Sequence, residues 1–175
     1  MELNILTARN DRQRHEFRFV FQPDATYFEN RTFDEAEMTG EYERVGESDD
    51  FLLTYRIRYV MHGACDACGE PAAVSGEIEG VETVKKSDGQ ESVRPREDAM
   101  IDEEDDSYVY EGDTIDLDRI ANEALLLNLP SKLLCREDCR GLCPKCGKNL
   151  NEGDCDCSED YSDSPFAKLL NLNKN

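Results

Sequence analysis

Tryptophan is absent from this chain, and histidine occurs only as His15 and His62. Both histidines lie in strand-like surroundings, far apart in sequence, so neither is set beside a nucleophile as a general base. No phosphate-binding loop, Ser or Cys nucleophile motif, or carboxylate metal motif stands out. The expectation is a protein that is not an enzyme. No run of eighteen apolar residues occurs, so no membrane-spanning helix is expected. The first ten residues are polar: they lack the cationic start and apolar run of a secretory signal, and they carry the acid that transit peptides avoid. These absences point to a cytoplasmic protein with no membrane partner.

Cationic side chains are scarce too. Lys and Arg number 20 against 40 Asp and Glu, a net charge of −20. Most of such a surface repels a phosphate backbone, because nucleic-acid affinity comes largely from Lys and Arg displacing counterions. The same acid also keeps a protein soluble. No basic recognition helix is visible, which weighs against the alternative of a zinc-dependent transcription regulator.

Cysteine, by contrast, is plentiful: 8 in 175 residues. In a reducing cytoplasm such cysteines read as metal ligands rather than disulfides. Cys65-Asp-Ala-Cys68 stands before Gly69, and Cys143-Pro-Lys-Cys146 before Gly147. A tight turn aims both sulfurs of such a pair at one ion. Cys155 and Cys157 complete the site of Cys143 and Cys146 as four thiolates, the closed arrangement of structural zinc. Cys65, Cys68, Cys135 and Cys139 remain as a second set, which would staple a β-domain to the segment after the main helix. In a competing arrangement Cys135 or Cys139 joins the C-terminal site. Two zinc ions are expected; an iron–sulfur cluster and a thiol redox pair at Cys65 and Cys68 are the alternatives. Lys132, Arg136, Arg140, Lys145 and Lys148 face only Glu137 and Asp138 between positions 131 and 150. They form a local basic patch, a candidate RNA or ribosome contact.

The apolar pattern predicts an α+β fold: an N-terminal antiparallel β meander or small barrel, one packing helix, and a C-terminal zinc-knuckle lobe with a short terminal helix. The length fits one domain with a small appendage. Over residues 1–95, strands are expected at 16–21, 38–45, 51–61 and 73–84. Leu53, Tyr55, Ile57, Tyr59 and Met61 line one face of the strongest. Val74, Ile78, Val81 and Val84 supply the apolar residues of the next, and 63–71, with the first cysteine pair, is the turn between them. Residues 96–106 end in five consecutive acids and read as a solvated loop. Over 107–130, residues 107–110 re-enter the sheet and 116–129 form the long helix. Its seam is Leu117, Ile120, Ala121, Ala124 and Leu127 or Asn128, capped by Asp116 or Thr114 and ended by Pro130. Residues 131–160 make the zinc-binding lobe. A terminal helix is expected over 161–175, started by Ser164 and Pro165.

Several of these segments together resemble a known family. Asp116-Leu-Asp118, Glu123-Ala-Leu-Leu-Leu127, Leu129-Pro130, Cys135, Cys139-Arg-Gly-Leu-Cys-Pro-Lys-Cys-Gly147, Asn149-Leu-Asn151 and Cys155-Asp-Cys157 follow the order of the YceD-like family. The closing Ser-Pro-Phe-Ala-Lys-Leu-Leu170 is similar to its terminal element, departing at Ser164 and Ala167. Cys65-Asp-Ala-Cys68-Gly-Glu-Pro71 resembles its upstream motif, with Ala67 where arginine is usual. The likeness implies a bacterial or plastid protein needed for accumulation of 23S ribosomal RNA, hence a non-enzymatic factor in large-subunit biogenesis. Together with the charge, it makes a ribosomal protein or assembly factor the expected partner rather than bare RNA. Ribosomal RNA would be reached through the basic zinc lobe.

Overall fold

The computed structural model describes residues 1–11, 13–28, 30–87 and 108–157. Its elements are β1 (Glu2–Asn4), α1 (Leu6–Asn10), β2 (His15–Phe21), β3 (Arg31–Phe33), β4 (Ala36–Arg44), β5 (Phe51–Ala64), β6 (Pro71–Lys86), β7 (Tyr108–Tyr110), β8 (Thr114–Asp116) and α2 (Leu117–Asn128). β5 organises the rest, because its β-branched and aromatic residues alternate almost without a break. Phe51, Leu53, Tyr55, Ile57, Tyr59 and Met61 are buried, while Thr54, Arg56 and Arg58 face solvent.

The main sheet runs β2-β4-β5-β6-β7, with the short β3 also pairing β5. Every pairing is antiparallel except that of β6 with β7. This sheet is open rather than closed into a small barrel, and β1 with β8 makes a separate two-stranded sheet. Arginine–glutamate pairs cross the solvent face, Arg18 with Glu37 and Arg56 with Glu79 among them. Arg58 Nε donates to Glu77 at 2.7 Å in the same row.

The core face is covered by α2, whose buried side is Leu117, Ile120, Ala121, Ala124 and Leu125. Asp116 caps the helix, its carboxylate accepting from Asp118 N at 2.9 Å. Leu127 is 81% exposed and Asn128 is exposed as well, so the inward seam ends on Leu125 instead of on either of them. Asn122 is the one buried polar residue of the helix; it accepts from Asp24 N at 2.8 Å and donates to Asp118 O at 2.8 Å. Satisfied in this way, it fixes the turn after β2 to the helix without a desolvation cost.

Of the apolar residues named for β6, Val81 lies on the solvent face, 61% exposed. The inward place beside it belongs to Gly80, and the reason is cross-strand. Tyr55 pairs with Gly80 and Tyr59 with Gly76 across β5 and β6. A Cβ at either glycine would collide with the ring and hydroxyl of its tyrosine. Tyr55 and Tyr59 therefore each lie over a glycine, and burial followed by Glu82 pushes the Tyr55 hydroxyl up to about 12. The acidic loop expected at 96–106 and the terminal helix expected at 161–175 fall outside the described residues.

Candidate metal centres

Two turns of the chain are built alike. Gly69 N donates to Cys65 O at 2.8 Å, and Gly147 N to Cys143 O at 2.9 Å. Cys65 N reaches Glu70 O at 2.7 Å, and Cys143 N reaches Lys148 O at 2.8 Å. In both turns the glycine takes a left-handed φ, +79° and +73°, which a side chain disfavours. These bonds wrap Cys-x-x-Cys-Gly into a loop whose remaining amides point at the first sulfur.

The first turn joins β5 to β6 and is held from three sides. Asp66 exchanges backbone and side-chain bonds with Leu133: Asp66 N to Leu133 O at 2.8 Å, and Leu133 N to Asp66 Oδ2 at 2.6 Å. Arg31 of β3 adds a two-pronged contact to the same carboxylate at 2.8 Å. Its guanidinium, then the Leu133 amide, holds the Asp66 carboxyl below the usual range. Leu142 N donates to Ala67 O at 3.1 Å, and a Cβ on Gly141 would stand 2.9 Å from that oxygen, so only glycine fits there. Cys65, Cys68 and Leu133 are buried as members of the hydrophobic core.

The eight sulfurs gather into two tetrads. Cys65, Cys68, Cys135 and Cys139 form the bridging one, and Cys143, Cys146, Cys155 and Cys157 the C-terminal one; within each, all four lie within 4.8 Å of one another. Cys135 and Cys139 thus fall to the bridging tetrad and not to the C-terminal site. Cys65 Sγ stands 3.7 Å from Cys139 Sγ, and Cys68 Sγ 3.7 Å from Cys135 Sγ. A zinc ion bound at about 2.3 Å in a tetrahedron sets its sulfurs ~3.8 Å apart. The cage fits a single such ion. A cluster of several irons and sulfides needs wider spacing between its cysteines, and a disulfide needs sulfurs within about 2.05 Å. The eight cysteines are free.

Local fields set the thiols apart. Burial opposes ionisation of Cys65, but amides of Ala67, Cys135 and Cys68 outweigh it and bring the thiol down to about 6. Amides of Cys146 and Lys145, helped by Cys155, bring Cys143 to about 6. Burial and the other three thiols push Cys135 up to about 12, and contact with Cys146 followed by burial does the same to Cys157. Four sulfurs this close cannot all carry charge unless a cation sits among them. Each tetrad therefore combines thiols ready to bind with thiols that only a metal would deprotonate.

The five basic residues of the lobe are all exposed. Several are already engaged: Arg136 pairs with Asp138 at 3.4 Å, Arg140 with Asp154 at 2.5 Å, and Lys148 Nζ donates to Asp154 O at 2.6 Å. Glu152, Asp154 and Asp156 lie just beyond the window that made the patch look basic. Over 131–157, 5 acidic residues meet 5 basic ones, and the lobe has no net positive charge. Asp66, Arg31, Gly141, Asp154 and Asn151 are the participants that spacing alone did not single out. Asp66, Gly141 and Asn151 stood within segments of the resemblance, the signal available for them; Arg31 and Asp154 had none.

A mixed chain with one long helix, an open sheet and two four-cysteine sites able to hold metal ions is the class that fold and site define. The family model described as "Large ribosomal RNA subunit accumulation protein YceD" matches residues 53–173, and the chain belongs to that family. It is 34% identical over 76 residues to the large ribosomal RNA subunit accumulation protein YCED homolog 1, chloroplastic, of Arabidopsis thaliana. That alignment covers 43% of this chain and 24% of the plant protein. Uncharacterized proteins of Mycobacterium tuberculosis and Mycobacterium bovis are 30% identical over 106 residues, covering 59% of this chain and 46% of theirs. The chain thus spans about a quarter of the plant relative and just under half of the mycobacterial ones. No solved structure is detectably similar. No helix among the described residues is long and apolar enough to cross a membrane.

Proposed function

We propose that this chain is a non-enzymatic, zinc-binding factor of the cytoplasm that supports 23S ribosomal RNA accumulation and large-subunit biogenesis. In this reading it acts through a ribosomal protein or assembly factor. The observation that carries the non-enzymatic part is the closure of both tetrads. Four thiolates fill the coordination sphere of a tetrahedral ion and leave no position for substrate or water. Zinc in such a cage supplies folding energy rather than Lewis-acid chemistry. Family membership supports the link to the large subunit. The net charge of −20 and the neutralised lobe favour a basic protein partner over exposed phosphate.

Co-purification of the tagged full chain, with and without ribonuclease, tests the partner. A basic protein of the large subunit should stay bound after ribonuclease and be released by salt, since exposed charges are screened. Reversing Arg136, Arg140, Lys145 and Lys148 to Glu should leave both zinc content and that partner in place. Submicromolar, salt-sensitive binding of the isolated protein to bare ribosomal RNA, abolished in the reversed variant, contradicts the proposal.

A further inference from the structure

The two tetrads are joined by more than the chain between Cys139 and Cys143. Asn151 lies in the loop that the C-terminal tetrad closes, between Cys146 and Cys155, yet its side chain serves the other tetrad. Its Nδ2 donates to Cys139 Sγ at 3.3 Å, and its Oδ1 accepts from Arg140 N at 2.8 Å. Asn151 N is itself anchored on the Asn149 side chain at 3.0 Å. Leu150 N to Gly141 O at 2.9 Å and a bridge between Leu142 and Asn149 press this loop against the 139–143 segment. Every fixed point of the amide is thus either in the C-terminal loop or on the strip of chain shared by the two sites.

We infer that Asn151 is a positioning residue for the bridging centre, through which occupancy of the C-terminal centre raises the affinity of the bridging centre for zinc. The inference rests on the reading of both tetrads as zinc sites. A thiolate ligand carries excess charge, and an N–H aimed at it offsets that charge and holds its rotamer, as outer-shell donors do at metal centres. Only a loop already ordered presents the amide at that place, and the ordering comes from Cys143, Cys146, Cys155 and Cys157 closing on their own ion. Coupling of this kind is reciprocal: filling either centre favours the other.

Titration of the reduced, metal-free full chain with zinc against a chromophoric chelator reads the affinities. Alkylation followed by mass spectrometry reads which cysteines each ion protects. Wild type should take up two ions; fewer than two overturns the underlying reading, whatever Asn151 does. Given two, Asn151→Ala should weaken the ion protecting Cys65, Cys68, Cys135 and Cys139 by about tenfold. Asn151→Asp keeps the oxygen that receives Arg140 N but lacks the N–H, so it should weaken that ion at least as much. An Asn151→Asp chain with unchanged affinity would show that the residue only shapes its loop, and would overturn the inference. In a Cys143→Ser/Cys146→Ser chain the bridging centre should already be weak, with Asn151→Ala adding little. A full tenfold effect of Asn151→Ala in that background would overturn the coupling.

Discussion

A chain carrying Cys65→Ser and Cys68→Ser is expected to hold one zinc ion instead of two and to lose on the order of 10 °C or more in Tm. The size follows from where the bridging tetrad sits. It ties the β5–β6 turn to residues 67 to 74 positions further along the chain. Closing a loop that long is entropically costly, and the binding energy of an ion held only in the folded state offsets that cost. Cys65, Cys68 and Leu133 are also core residues, so the loss reaches inward from the turn. Hydrogen exchange should show protection lost over about 131–141 and weakened at the 64–71 turn, with the loop that Cys143, Cys146, Cys155 and Cys157 close held by its own ion. Cys143→Ser/Cys146→Ser, whose tetrad includes the exposed Cys146 and Cys157, should leave β5 and β6 protected. Equal global unfolding in both variants would show that the two centres are not distinct in their structural reach.

The second large effect comes from the sheet. Gly80→Ala adds a single methyl group, and in most strands that change is neutral or favourable. Here the new Cβ enters the space of the Tyr55 ring, which is buried and backed by the core. The strand or the ring must move, at a cost of about 1–3 kcal/mol typical of overpacking. Urea unfolding checks it, and a double-mutant cycle identifies the cause. Gly80→Ala with Tyr55→Leu should cost clearly less than the sum of the two changes, because the collision is shared. Additive effects would rule out the tyrosine-over-glycine contact. Gly76→Ala should behave likewise against Tyr59.

Much of this was legible in the residues themselves. β5 announces itself because every inward position from Phe51 to Met61 is large and apolar, and α2 because Asp116 and Pro130 mark its ends. The cysteine spacing alone suggested the two sets of four that the fold brings together. What stayed hidden depends on contacts between distant residues. Val81 resembles its inward-facing neighbours in a list of apolar residues, and only the tyrosine across the strand explains why glycine holds the inward place. The basic patch dissolved because Asp154, outside the counted window, folds back onto Arg140 and Lys148. Arg31 and Asp66 are 35 positions apart, and no local periodicity links them. The openness of the sheet was also invisible, since alternation reads the same in a barrel and in a twisted open sheet.

The most direct measurement is the metal content of the protein purified without chelator. The account predicts close to two zinc ions per chain. Their release should deprotect all eight cysteines, the C-terminal tetrad with its exposed Cys146 and Cys157 first and the bridging one with its buried Cys65 and Cys68 later. One zinc per chain, or iron with visible absorbance, would contradict it.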